Sequence, residues 1–181
     1  MKMVSATKLR KAQQAITQMR PYADKLNGIL QNLSDSAKDE QSVQGYFEHR
    51  DVKNILLVVN SSDRGLCGGF NSNITKEVTA LVEKTYQGKN VEVKFLGKKA
   101  YEFFKRHPYN MDTSSMTIFQ DLNANDAFIL GGEIIADFLN GKYDEVRVVY
   151  NKFKNAATQI VTAEKLLPVE LESFESTDQE K

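Results

Sequence analysis

From Ala12 onward the apolar side chains fall at Ala12, Ala15, Ile16, Met19, Tyr22, Ala23, Leu26, Ile29, Leu30 and Leu33. With Ala12, Met19, Leu26 and Leu33 as position a, the others fill d and e. That is the stripe a repeat of about 3.5 residues keeps turned toward a partner helix. The spacing predicts a coiled-coil helix over residues 1–33, roughly 50 Å long at about 1.5 Å per residue, which would project from a compact body. Pro21 removes one backbone hydrogen bond and crowds the carbonyl of Thr17, so a kink is expected there. Gly28 lowers helix propensity by about 1 kcal/mol relative to alanine. A lone helix with those defects is marginal in water, and packing must hold it. No second heptad stretch occurs in the 181 residues. Either another chain supplies the partner, or this chain is a fragment, or the helix folds onto the rest of the chain. Upstream the seam breaks at Ser5 and Lys8. Met1, Lys2, Met3 and their small neighbours suit an adaptable contact surface, although such residues are also common in ordinary helices.

The pattern then changes. A polar stretch, NLSDSAKDEQSVQG, closes a first region of residues 1–45, and strand-like and helix-like segments alternate over residues 51–168. Ile55 to Val59 is an unbroken apolar run that fits a strand covered on both faces. A helical pattern follows at Ile74, Val78, Leu81 and Val82, ending near Gln87-Gly88. VEVKFLG then reads as a strand, KKAYEFFKR as a short helix, Met116 to Phe119 as a weaker strand, and Ala124 to Leu139 as a helix. Glu145 to Tyr150 and Ala157 to Ala163 read as strands with no helix between them, so they should pair antiparallel through a turn near Phe153 to Ala156. The expected fold class is α/β, a Rossmann-like and mostly parallel sheet with a final antiparallel strand. Residues 169–181 read as an acidic linker or tail.

Composition alters this picture in two places. Lys plus Arg and Asp plus Glu each number 24, so the formal net charge is zero and a generic nucleic-acid binder is not expected. The zero hides an asymmetry. Residues 1–33 carry six cations against Asp24 alone, a local charge of +5, whereas residues 170–181 carry −4. Each end is either a solvated face or a surface that meets an oppositely charged partner. The single Cys67 excludes an internal disulfide and fits a reducing compartment. No apolar run approaches the roughly 20 residues of a membrane span.

Candidate chemistry centres on the turn NSSDRGLCGGFNSN, which opens the helix after the first body strand, where such folds bind phosphate. The spacing of Gly65, Gly68 and Gly69 matches neither dinucleotide nor P-loop templates, and no Lys-Ser/Thr pair follows. Glycines that let the chain turn tightly and pack closely suffice to explain the turn. Asp63 and Arg64 could pair with each other or with a partner. His49 and His107 stand alone among charged neighbours and are expected at the surface. Cys67 lacks a nearby base that would make it a nucleophile. No catalytic residue, cofactor or metal is expected.

SDRGLCGGFN after an apolar strand resembles the signature of the gamma subunit of bacterial F-type ATP synthases. MKMVSATKLRKAQ and RPYA resemble that subunit's N-terminal helix, and VVYNKFKNAATQIVTAEKLLP its last sheet strands. The resemblance implies a non-catalytic central-stalk rotor. Its coiled coil would turn inside the ring of alpha and beta subunits, and its body would meet the epsilon subunit and the c-subunit ring. Such a rotor lies peripherally at the cytoplasmic face of the bacterial inner membrane. Met1, Lys2, Met3, Ser5 and Lys8 would lie near the alpha and beta subunits. Family members also carry residues before Met1 and a long C-terminal helix, the mate of the Ala12–Leu33 seam, so this chain is expected to be truncated at both ends. The alternatives are a small Rossmann-like ligand-binding or enzyme domain, and a coiled-coil adaptor with an α/β head.

Overall fold

In a computed structural model the heptad stripe lies on one helix, α1 (Lys2–Ala37), whose course is unbroken through Pro21. The structure describes residues 2–37, 41–120, 123–155 and 158–170. The chain divides into two units, Met1–Gln44 with Leu171–Lys181, and Gly45–Glu170. A short helix, α2 (Gln41–Phe47), leads into the second unit.

The second unit is a five-stranded sheet in the order β3-β2-β1-β4-β5. Its strands are β1 (Asn54–Asn60), β2 (Asn90–Leu96), β3 (Asn110–Asp112), β4 (Glu145–Phe153) and β5 (Gln159–Leu167). The first four run parallel, with Leu57 opposite Val93 on one side and Arg147 on the other. β5 pairs antiparallel with β4, as the missing crossover helix predicts. The central strand explains the two layers. Ile55, Leu57 and Val59 point to one face, where they pack with Ile74, Val78 and Phe104. Leu56 and Val58 point to the other, beneath Ile134 and Phe138. The first set of helices is α3 (Phe70–Ala80), which continues in a wider turn over Leu81–Thr85, and α4 (Lys98–Phe104). The second face is covered by α5 (Ala124–Leu139). Each fully buried aliphatic side chain contributes about 1.5–3 kcal/mol, so β1 anchors both layers.

Two expectations need correction. The third strand is Asn110–Asp112, not Met116–Phe119, and Ile118–Gln120 forms a short 3₁₀ turn instead. The Met116 carbonyl accepts the Gly97 amide at 3.2 Å rather than joining a ladder. Asp112 ends β3 by accepting the Ser114 amide at 2.8 Å. Its other oxygen pairs with the Lys94 ammonium at 2.6 Å. His107, expected at the surface, is half-buried with its Nδ1 enclosed and unpartnered. It stacks on Phe103 at 5.2 Å between centroids and leans on Phe104 and Tyr109, so aromatic packing outweighs the pull of its charged neighbours. His49 is exposed as expected.

Three devices pin the ends of elements. Asp144 accepts the amides of Lys53 and Asn54 at 2.9 and 2.8 Å, fixing the entry to β1. Arg50 donates from Nη1 to the Phe138 carbonyl at 2.9 Å and lies over the Phe138 ring, which closes the end of α5. The Val169 amide donates to the Tyr46 carbonyl at 2.8 Å, so the incoming and outgoing segments of the second unit are bonded to each other.

One glycine admits no side chain. Gly97 has φ of 92°, and a Cβ there would stand 2.0 Å from the Ser61 carbonyl oxygen. The close approach is locked by the Ser61 amide donating to the Leu96 carbonyl and by the Ser61 hydroxyl accepting the Ala100 amide at 3.0 Å.

Candidate functional site

The glycine turn links β1 to α3, at the carboxyl edge of the parallel strands. Asn71 organises it. Its Oδ1 accepts the Ser62 amide at 3.1 Å, and its Nδ2 donates to the Ser62 hydroxyl at 2.8 Å and to Cys67 Sγ at 3.1 Å. The Ser62 hydroxyl in turn donates to the Arg64 carbonyl. These polar side chains are therefore engaged with the loop itself rather than directed at a ligand. Asp63 does not pair with Arg64; its Oδ1 accepts the Lys98 amide at 3.2 Å at the start of α4, and Arg64 is exposed. Titration with ATP, ADP or NAD is accordingly expected to show no saturable stoichiometric binding by calorimetry, and a tight complex would revive the enzyme reading.

The three glycines of the turn are not equivalent. Gly68 has φ of 59° with open space around it, whereas Gly69 has an ordinary φ of −77°. Gly68→Ala is therefore expected to cost about 1–2 kcal/mol through backbone strain alone, and Gly69→Ala less. Chemical denaturation of the two variants checks this ordering. Leu66, which sequence reasoning did not single out, also lies in the left-handed region at φ 62° with its side chain fully exposed. Only coordinates reveal that combination, because nothing in the letters RGLCGG distinguishes a strained leucine from a relaxed one.

The coiled-coil residues are on α1. Met19, Tyr22 and Leu26 are exposed, Met19 by 60% and Tyr22 by 58%, and Ile16 is half-buried. Ala12, Ala15, Ser5 and Lys8 are exposed as well. Lys2, Met3, Ile29 and Leu33 belong to the same helix, though their side chains and all of Met1 lie outside the described residues. Arg10, Lys11, Arg20 and Lys25 add exposed cations along it. Thus α1 carries an apolar stripe and a positive charge excess on one helix.

Two polar clusters escaped the sequence reading. Glu145 is buried and accepts from the Tyr86 hydroxyl and from Arg147 Nε, the latter at 2.6 Å, with the Lys165 ammonium at 3.8 Å. Burial by itself would raise the Glu145 pKa, but the hydrogen bonds from Arg147 and Tyr86 and the nearby positive charges hold it below the ordinary glutamate value. Burial, and then its bond to Glu145, push the Tyr86 hydroxyl upward. The second cluster is the buried Lys94 with Asp112 and Ser114. Among the described residues no three His, Cys, Asp or Glu side chains gather as a metal site requires. No helix among them is long and apolar enough to cross a membrane.

Comparison with known proteins decides the family. A family model described as ATP synthase matches residues 1–181. The ATP synthase gamma chain of Christiangramia forsetii is 47% identical over 170 residues, covering 94% of this chain and 59% of that one. The chain belongs to the ATP synthase gamma-chain family. The gamma chain of Cytophaga hutchinsonii is 44% identical over 173 residues, covering 93% of this chain and 58% of its own length. The chain thus spans just under three-fifths of the curated gamma chains it matches. Among solved structures, a chain of the Tetrahymena thermophila mitochondrial ATP synthase central stalk and c-ring aligns with a TM-score of 0.53 at 24% identity. It covers 86% of this chain and 71% of that one, a likeness of fold. The family match bears out the resemblance carried by SDRGLCGGFN, by MKMVSATKLRKAQ and RPYA, and by the residues of the last two strands.

Proposed function

We propose that this chain serves as the rotor of the central stalk in an F-type ATP synthase, a non-catalytic subunit that conveys rotation of a membrane ring to the catalytic ring. The observation that carries the reading is the exposed seam of α1, with Met19, Tyr22 and Leu26 open to solvent, in a chain of the gamma-chain family. An apolar stripe of this length is stable only against another helix, which a C-terminal segment of the gamma chain would supply. A rotor works by differential contact: each angular position favours a different state of the catalytic site it faces. The cations of α1 suit orientation-dependent contacts with acidic loops of the alpha and beta subunits, with Met1, Lys2, Met3, Ser5 and Lys8 nearest to them. The body would meet the epsilon subunit and the c-ring, peripherally on the cytoplasmic face of the inner membrane.

The test is reconstitution. With the C-terminal helix of a family gamma chain supplied, amide exchange along Ala12–Leu33 is expected to slow, and the chain is expected to assemble with alpha and beta subunits and change their ATPase rate. Without it, residues 2–33 should exchange fast while β1 and β4 stay protected. If the restored chain neither protects that seam nor alters the ATPase rate, the rotor reading is wrong.

A further inference from the structure

Helix α5 presents to solvent a face that its own unit does not use. Only Ile134 and Phe138 of this helix are buried. At about 100° per residue, Phe128, Ile129, Gly132 and Ala136 fall on one continuous stripe on the opposite side, whereas Leu139 at the end of the helix packs on Gly45. Phe128 is 78% exposed and Ile129 53%. An exposed phenylalanine and isoleucine side by side on one helix face mark a contact surface more than a solvated one. The glycine pair points the same way. Gly131 and Gly132 weaken the middle of the helix, and a Cβ at either would meet nothing within 4 Å. Nothing in this unit therefore requires their smallness, which would admit a close approach from outside.

Charge fixes the kind of partner. The flank of the stripe borders a cleft of about 260 Å³ lined by Asp126, Ile129 and Glu133 of α5 and by Ser114, Ser115 and Thr117. Neither Asp126 nor Glu133 is ion-paired among the described residues; Asp126 accepts only the Asn123 amide group at 2.8 Å. The helix itself, ANDAFILGGEIIADFL, contains no cation. We propose that α5 docks a partner polypeptide whose apolar surface covers Phe128 and Ile129 across the notch at Gly132. A lysine or arginine of that partner enters the cleft between Asp126 and Glu133. This goes beyond the stalk reading and rests on it only in seeking the partner among the other subunits of an ATP synthase.

The experiment uses the chain, with its C-terminal helix restored, in the assembled complex. Gly132→Cys in a Cys67→Ser background is labelled with a maleimide before and after assembly. Labelling is expected to slow by about tenfold or more on assembly, and a cross-linker placed there should reach a lysine- or arginine-bearing segment of another subunit. Glu133→Lys should weaken capture of that same subunit by about tenfold or more, and Glu133→Gln by less. Gly132→Ala should leave or raise the thermal midpoint of the isolated chain while weakening capture, a pattern that a merely structural glycine would not give. Unchanged labelling in an active complex overturns the proposal and spares the stalk reading, as does a cross-link to a segment without cations or to a second copy of this chain. No assembly by the unsubstituted chain overturns both.

Discussion

Gly97→Ala is expected to destabilise the body by about 3 kcal/mol or more, the largest effect of any single methyl group in this unit. Two penalties coincide at that position. The φ of 92° lies where residues with a Cβ are strained, and the new Cβ would stand 2.0 Å from a backbone oxygen rather than from a flexible side chain. Neither β1 nor β2 can move aside cheaply, because Ser61 is tied to Leu96 and to the first turn of α4. Ser61→Ala would not rescue the variant, since the clashing atom is the main-chain carbonyl. In a chain of this size the thermal midpoint should fall by about 10 °C, read by calorimetry. A midpoint within a degree or two of the parent would refute the close approach of these two segments.

The second large effect belongs to Glu145. Glu145→Ala leaves the guanidinium of Arg147, over the Tyr86 ring, without its carboxylate, and the buried Tyr86 hydroxyl without its acceptor. Arg147 is half-buried, its side chain 25% exposed, so losing this charge-assisted bond and the Tyr86 acceptor is expected to cost about 2–3 kcal/mol. Glu145→Gln keeps an acceptor for one of the two donors and should cost less. The same group gives the protein an acid limit. Its pKa is lower folded than unfolded, so its contribution is fully present above the ordinary glutamate range and is lost as pH falls through the depressed value. Asp144 adds to this in the same direction, with burial opposed by the amides of Asn54 and Lys53. The parent's midpoint should therefore drop steeply on acidification, and Glu145→Gln should flatten that slope. An equal slope in both proteins would show that other carboxylates carry it.

Much of this architecture can be read from periodicity. The unbroken run Ile55–Val59 is buried on both faces, α5 spans Ala124–Leu139 as its pattern implies, and the last two strands pair antiparallel. What periodicity could not resolve is context. The alternation in VEVKFL suggests that Glu92 and Lys94 face water, yet α5 and the segment after β3 cover that side, and Lys94 is buried against Asp112. The apolar residues of α5 were legible as a helix, but which of them face the sheet depends on the helix's rotation about its axis. That is why Phe128 and Ile129 emerge exposed. Glycine raised the opposite difficulty. The cluster at Gly65, Gly68 and Gly69 draws the eye, whereas the one glycine with a backbone atom in its face, Gly97, sits alone between a strand and a helix.

The hydrogen bond between Val169 and Tyr46 has a consequence for how such a chain can change over time. An insert whose two ends meet leaves the spacing of the flanking chain untouched, whatever lies between them. Loops between the first body strand and the last can change in length without disturbing that junction. The α/β body is in this sense closed on itself, its first and last segments joined by one main-chain bond.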